Sequence, residues 1–143
     1  MRIAPVGCLI DADKSELLAK TVASISKVTH GTDVAIAGAA MVAQAVASGI
    51  AGRTWDDAAD DVLAIFDIAK TYGETTWAAS VKRRFELALD AACNIHDPEE
   101  YSRWIYEVLG TGTMTSESVS AALAVAWFCR DAKKAAIMCA NMG

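Results

Sequence analysis

Three groups of residues in this chain of 143 residues have the types and spacing that chemistry requires. Thr29 and His30 precede an Ala-rich stretch, and a histidine side chain can hydrogen-bond a ligand or exchange a proton near neutral pH. Gly110 and Gly112 precede a helical pattern, where backbone N–H groups can bind an anion. Four aspartates between residues 56 and 61 include pairs spaced by four, which can hold a hard cation such as Mg²⁺.

Each of these groups also has a purely structural explanation. A lone histidine before a helix commonly hydrogen-bonds its own neighbours, and His96, which stands before Asp97-Pro98, is interpreted as part of a surface turn. A single Gly-x-Gly is a weak motif, and a simple turn between two helices explains it better. We interpret the four aspartates as stabilising the N-terminal end of a helix through its dipole and as forming a solvated face.

Three short strings resemble the middle of an ADP-ribosylglycohydrolase domain, in their order and their separations. They are MRIAPVG at residues 1–7, VTHGTDVA at residues 28–35 and ANMG at residues 140–143. The first resembles the string that opens the family's ADP-ribose pocket, and the second contains the Thr-His whose neighbours face the bound ribose. Gly-Thr-Gly at residues 110–112 is similar to the family's Gly-x-Gly segment. The resemblance implies these substrate-binding residues: Arg2, Pro5, Gly7, Thr29, His30, Gly110 and Gly112.

The resemblance also implies which parts of the family's active site this chain lacks. A complete family domain uses two Mg²⁺ ions to activate water, and its Ala-Asn-x-Gly continues as Gly-Asp-Thr-Asp, which supplies metal ligands. The chain ends one residue before that motif, and no Thr-Asp-Asp string occurs in it. We therefore expect a truncated relative with no metal ligands and no catalytic residues of its own, inactive alone. His30 is expected to contact ADP-ribose and not to act as a nucleophile.

Two further functional hypotheses compete with this one. The chain could be a non-catalytic helical interaction module that exposes apolar helix faces and forms a homodimer or binds a partner protein. An unrelated enzyme that uses Cys or His is the weakest hypothesis, because no Cys–His pairing follows from their positions. Association that depends on concentration favours the interaction module, whereas binding of ADP-ribose favours the family fragment.

Composition limits the classes of protein that this chain can represent. Hydrophobic residues make up 54% of the chain and charged residues 22%, which predicts a compact globule with a core. The net charge of −5 repels a phosphate backbone, so nucleic acid is not an expected partner. The four cysteines lack CxxC spacing, and no secretory signal is evident, so we expect reduced core thiols in a cytoplasmic protein. Residues 34–52 carry no charge, but their Ala-rich composition favours a buried helix over a membrane span.

Apolar residues recur with a helical period almost everywhere, which predicts an all-α fold of six or seven helices in one domain, residues 1–143. Thr32 or Asp33 is expected to begin a central helix whose alanines, spaced by four from Ala35 to Ala51, form a flat packing face. Thr54 and Asp97 are predicted N-caps. A helix between these two is expected to begin at Thr75 or Thr76, and Thr115 or Ser116 is the predicted N-cap of the last long helix. A final short helical segment is predicted over residues 131–141.

Overall fold

The computed structural model describes residues 3–142, and its regular elements within that range are helices apart from one isolated β-bridge between Thr32 and Glu74. The all-α prediction is confirmed, and seven of the eight α-helices have seven residues or more. The helices are α1 Ala4–Gly7, α2 Ser15–Ser26, α3 Asp33–Ile50, α4 Trp55–Ala69, α5 Val81–Asn94, α6 Pro98–Trp104, α7 Thr115–Cys129 and α8 Ala132–Asn141. A 3₁₀ turn, Lys70–Tyr72, follows α4, and a π-helical turn, Ile105–Leu109, continues α6.

The chain divides into two compact units, residues 1–78 and residues 79–143. Each unit buries its own apolar side chains: Leu18, Ile36, Met41 and Ile65 are fully buried in the first unit. Phe85, Tyr101, Ile105 and Val125 have the same role in the second. One domain over residues 1–143 therefore stays a prediction, while each unit has a core of its own.

Helix α3 is the centre of the first unit, as its alanine spacing predicted. It packs against α1, α2 and α4, and the Thr32 side chain caps it by accepting a hydrogen bond from the Ala35 N–H at 3.3 Å. Ala43 and Ala47 are buried on the predicted face, whereas Ala51 at its end is exposed. Small side chains at these positions let neighbouring backbones approach closely.

We expect Ala43→Leu to lower the free energy of unfolding by about 1–3 kcal/mol, because three extra carbons must enter a closely packed face. Ala43 has no exposed surface. Chemical denaturation measures the effect. Ala64→Leu is the matched control, since Ala64 is an exposed residue in the middle of α4. Equal stabilities for the two variants would contradict the packing of this face.

Helix α3 is also long and apolar enough to cross a membrane by length and composition. Half of its 18 residues are buried inside the protein, among them Gln44 and Ser48, which are both polar. A helix that buries polar groups against its neighbours in this way has the features of a core helix. The packing of α3 thus agrees with the interpretation of residues 34–52 as a buried helix.

Helical spacing predicts one buried stripe on the first long helix, made of Leu17, Leu18, Thr21, Val22, Ile25 and Val28, and the buried face of α2 differs from it. Leu18 and Val22 are buried as expected, but Leu17, Ile25 and Val28 are 51%, 48% and 83% exposed. The small residues Ala19 and Ala23 complete the buried face and allow α2 to lie close to α3 and α4. The exposed residues Leu17, Ile25 and Val28 form an apolar stripe along α2, called the α2 stripe below.

The start of α5 was predicted wrongly. The helix begins at Val81 after the N-cap Ser80, and the predicted starts Thr75 and Thr76 lie in a segment that forms no helix. One oxygen of the Asp33 carboxylate accepts hydrogen bonds from the Thr76 N–H at 3.2 Å and from the Thr76 hydroxyl at 2.8 Å, which ties this segment to the first turn of α3. Trp77, the next residue, is fully exposed.

Tyr101 lies at the centre of the second unit. Its ring stacks on Phe128 with 4.2 Å between ring centroids, and its hydroxyl donates a hydrogen bond to the Ala88 carbonyl at 3.0 Å. The ring therefore joins α6 to both α7 and α5. Burial raises the pKa of the Tyr101 phenol far above its ordinary value.

The helix ends of the second unit follow the sequence in part. Asp97 caps α6 and Asp131 caps α8, each accepting a hydrogen bond from a backbone N–H three residues later. Helix α7 has no side-chain cap, because Met114 occupies its N-cap position, so the prediction of Thr115 or Ser116 was wrong. Helix α7 ends at Arg130, which adopts a left-handed conformation with φ 49°. The Arg130 guanidinium lies 4.9 Å from the centre of the Trp127 ring.

The prediction that all four cysteines are core thiols was wrong for two of them. Cys8, which follows α1, and Cys93 of α5 are exposed, whereas Cys129 and Cys139 are partly buried. Burial raises the pKa of both the Cys129 and the Cys139 thiol. The Cys129 thiol contacts the Met138 sulfur at 3.8 Å, in a region where sulfur atoms fill apolar space.

Candidate functional site

Thr29 and His30 lie on the turn between α2 and α3, and both side chains are exposed. The Thr29 hydroxyl and the Nδ1 atom of His30 form a hydrogen bond of 2.8 Å. The His30 backbone N–H donates to the Ser26 carbonyl at 2.7 Å, which fixes the turn against the end of α2. The imidazole is therefore held by its neighbour at one nitrogen and presents its other edge to solvent, where a ligand can reach it.

Residues 73–78, which form no helix, fix this turn from its other side. Glu74 donates its N–H to the Gly31 carbonyl and accepts from the Asp33 N–H, each at 2.9 Å. A Cβ atom on Gly73 would lie 2.4 Å from the Asp33 backbone, so only glycine allows this approach. Sequence reasoning missed the role of Asp33, and a polar residue at the first position of α3 was the only signal for it.

The three candidate residues near the start of the chain have different positions. Arg2 lies outside the described residues. Pro5 is in the first turn of α1 and is exposed. Gly7 is buried, and a Cβ atom there would lie 2.2 Å from the Ala43 carbonyl oxygen of α3. Gly7 therefore has a clear packing role, the close contact of α1 with α3.

The loop with Gly110 and Gly112 surrounds the side chain of Glu117. The Gly112 N–H donates to a Glu117 carboxylate oxygen at 3.0 Å, and Gly110 has φ 83°, which favours glycine. Arg84 donates to the Leu109 carbonyl at 2.8 Å and lies 3.9 Å from the other Glu117 oxygen. The backbone donor at Gly112 is thus bound by an internal carboxylate. An external anion would have to displace this carboxylate to use that donor.

The acidic run of α4 is divided between two structural roles. The Thr54 hydroxyl accepts from the Asp57 N–H and donates to the Asp57 carboxylate, so the prediction of Thr54 as N-cap is confirmed. Asp61 accepts a hydrogen bond of 2.7 Å from the buried Ser48 hydroxyl and lies 3.6 Å from Arg53. Ser48 in turn accepts from the fully buried side chain of Gln44 at 3.2 Å. Asp61 therefore stabilises the contact between α3 and α4.

The described side chains that could bind a divalent cation do not form a cluster. Hard cations take several oxygen ligands at once, and between residues 3 and 142 no group of three or more His, Cys, Asp or Glu side chains could hold a metal ion. The residues present therefore do not fit a magnesium site.

Comparison with known proteins identifies the family of this chain. The family model for ADP-ribosylglycohydrolase matches residues 1–143. The chain belongs to the ADP-ribosylglycohydrolase family. It is 37% identical over 144 residues to the uncharacterized protein YegU of Escherichia coli (strain K12). The similarity covers 100% of the chain and 43% of YegU, so the chain spans less than half the length of this curated relative. No solved structure matches it.

The candidate substrate-binding residues of this ADP-ribosylglycohydrolase family member lie in both units of the chain. Pro5, Gly7, Thr29 and His30 belong to residues 1–78, and Gly110 and Gly112 belong to residues 79–143. Of these, the Thr29-His30 turn combines exposure with fixed geometry.

Proposed function

We propose that this chain supplies part of the substrate-binding surface of an ADP-ribosylglycohydrolase. The reaction of the complete domain would be hydrolysis of the bond between ADP-ribose and a protein side chain, with water activated by Mg²⁺. Family membership supports the class of reaction. The observation that carries the assignment to particular residues is the fixed, exposed Thr29-His30 turn, with its 2.8 Å hydrogen bond.

The proposal assigns no catalytic step to residues 3–142, because their side chains do not form a magnesium site. Activity would require carboxylate ligands from other polypeptide, and the chain alone is expected to be inactive. We further propose that the chain acts in the cytoplasm, because cysteines stay reduced there. The surface at the Thr29-His30 turn is expected to bind the ribose of ADP-ribose and not the modified protein.

Titration calorimetry with ADP-ribose, in buffers with and without Mg²⁺, tests this proposal. Weak binding that is independent of Mg²⁺ is expected if the chain supplies only the binding surface. Binding that depends on Mg²⁺ would show that metal ligands assemble here, for example between chains. The stated reason for inactivity, a lack of metal ligands, would then be wrong. The absence of binding in both buffers would contradict the assignment of the pocket.

We expect His30→Ala to weaken any binding of ADP-ribose by about tenfold, the effect of losing one hydrogen bond to a charged or polar ligand. Its free energy of unfolding should stay close to that of the wild type, because the side chain is exposed. His96→Ala is the control, since His96 is exposed in the second unit. Affinity unchanged by His30→Ala would contradict the role of this turn.

The α2 stripe favours the second candidate function, a non-catalytic module that self-associates or binds a partner. An apolar stripe on an exposed helix face commonly marks a protein contact. Leu17 and Ile25 lie about two turns apart on α2, and Val28 follows the end of the helix next to the Thr29-His30 turn. Sedimentation equilibrium of the chain over a range of concentrations distinguishes a monomer from a dimer.

A further inference from the structure

The second unit contains an open groove of about 1120 Å³ between two helices. One wall is α6 and its π-helical turn, which contribute residues 99, 102, 103 and 106, and the other is α8, which contributes residues 134, 137, 138 and 141. Both sets follow the spacing i, i+3, i+4, i+7, which is one face of a helix. The groove is therefore bounded by two continuous helix faces.

The floor of the groove is apolar and aromatic. Trp127 and Phe128 of α7 form it, and Ile137 of α8 and Tyr106 remain 53% and 60% exposed along its sides. Large side chains that stay exposed around a concave apolar surface are typical of sites where another molecule binds.

The rim of the groove is positively charged, although the protein carries a net charge of −5. Arg103 and Lys134 stand on opposite walls, and within residues 3–142 neither side chain forms an ion pair. His96 adds a third basic group, and Glu99 is the acidic residue of the lining. The charge pattern favours an occupant with acidic groups on both of its sides.

The shape of the groove favours one kind of occupant. Its volume of about 1120 Å³ is just above the range of about 300–1,000 Å³ that is usual for small-molecule sites, so the choice depends on its walls. Two helical walls with an apolar floor suit a third helix, whose apolar face fills the groove. We propose that the groove binds an amphipathic α-helix of a partner protein that carries acidic residues beside its apolar face.

The α2 stripe of a second copy fits this groove poorly. Lys20 follows Leu17 by about one turn of α2, and Lys27 precedes Val28 in the chain; both lysines are exposed. These lysines would approach Arg103 and Lys134, and like charges brought together at an interface oppose binding. A separate acidic helix is therefore the occupant that the charges favour.

Two labelled synthetic peptides test the proposal with the whole chain. Both are helices with leucines at i, i+3, i+4 and i+7, flanked in one peptide by glutamates and in the other by lysines. Fluorescence anisotropy should show that the acidic peptide binds at least about tenfold more tightly at low salt, and that this advantage shrinks as salt screens the charges. Equal binding of the two peptides, or tighter binding of the basic one, overturns the proposal.

Two matched pairs of variants locate the binding. Lys134→Glu should weaken binding of the acidic peptide by about fivefold or more, while Lys133→Glu, on the same helix but outside the groove, should change it less than about twofold. Ile137→Glu should abolish binding, whereas Val108→Glu, equally exposed outside the groove, should not. Circular dichroism confirms that each variant is folded. Equal effects within either pair overturn the proposal, as does a dimer that only Ile137→Glu dissociates.

Discussion

Tyr101→Ala is expected to lower the free energy of unfolding by about 3–5 kcal/mol, which is typical of a large aromatic side chain removed from a core. The fully buried ring joins α6 to α7 through its stacking on Phe128. Its removal leaves a cavity at the centre of the second unit and the Ala88 carbonyl without its side-chain partner. Urea denaturation of both proteins measures the difference.

Two related variants separate the contributions of the Tyr101 side chain. Tyr101→Phe keeps the ring and loses the hydroxyl, so its effect should be about 1 kcal/mol. Tyr106→Ala removes a tyrosine that is 60% exposed and should change stability by less than about 1 kcal/mol. A Tyr101→Ala protein as stable as Tyr106→Ala would contradict the packing of the second unit.

The raised pKa of Tyr101 adds a dependence of stability on pH. Folding holds the phenol in its neutral form, so the unfolded chain releases the proton at a lower pH than the folded one. This contribution is fully present below the ordinary tyrosine pKa of about 10 and is lost as the pH rises above it. Tyr101→Phe should remove that part of the alkaline loss of stability.

Gly7→Ala has the second large effect, a decrease of about 2–3 kcal/mol in the free energy of unfolding, near the upper end of ordinary overpacking. The new methyl group would lie 2.2 Å from the Ala43 carbonyl oxygen and 2.9 Å from the Val46 Cβ atom. A backbone oxygen cannot turn aside as a flexible side chain can, so α1 must move away from α3. Thermal and chemical denaturation both measure the loss.

Gly49→Ala is the matched control for Gly7→Ala. Gly49 lies in the last turn of α3, and a Cβ atom there meets nothing within 4 Å. Alanine should raise stability by up to about 1 kcal/mol, because it restricts the unfolded chain and favours the helix. If Gly7→Ala and Gly49→Ala changed the free energy of unfolding in the same direction, the result would contradict the close contact of α1 with α3. If Gly7→Ala weakened binding of ADP-ribose without loss of stability, Gly7 would be a pocket residue.

Most of the helices could be predicted from the sequence because apolar residues recur with the period of a helix. Asp97-Pro98 gave the start of α6, and Thr32 gave that of α3, since each combines a capping side chain with a following apolar face. Helix α7 shows the limit of this signal. Helical spacing predicts a buried face made of Val119, Ala122, Leu123, Ala126 and Trp127. The face that packs instead contains the polar residues Ser116 and Ser120, so the predicted side was wrong.

The candidate site was less predictable because its geometry depends on contacts between distant residues. The resemblance located Thr29 and His30, but nothing near them in the sequence indicated that Glu74 and Thr76 fix their turn. Local propensity favoured a helix from Thr75 or Thr76, whereas the structure ties Thr76 to Asp33, which is 43 positions earlier in the chain. The carboxylate of Glu117 inside the Gly110-Gly112 loop was equally invisible to a search for motifs.

The left-handed Arg130 has an evolutionary consequence. An L-residue in that conformation costs about 1–2 kcal/mol relative to glycine, and a cation over a partly exposed indole returns about 0.5–1 kcal/mol. The contact with Trp127 therefore offsets part of the backbone strain at Arg130. Selection for backbone conformation alone would favour glycine at this position, so the arginine links the end of α7 to a ring that lines the groove.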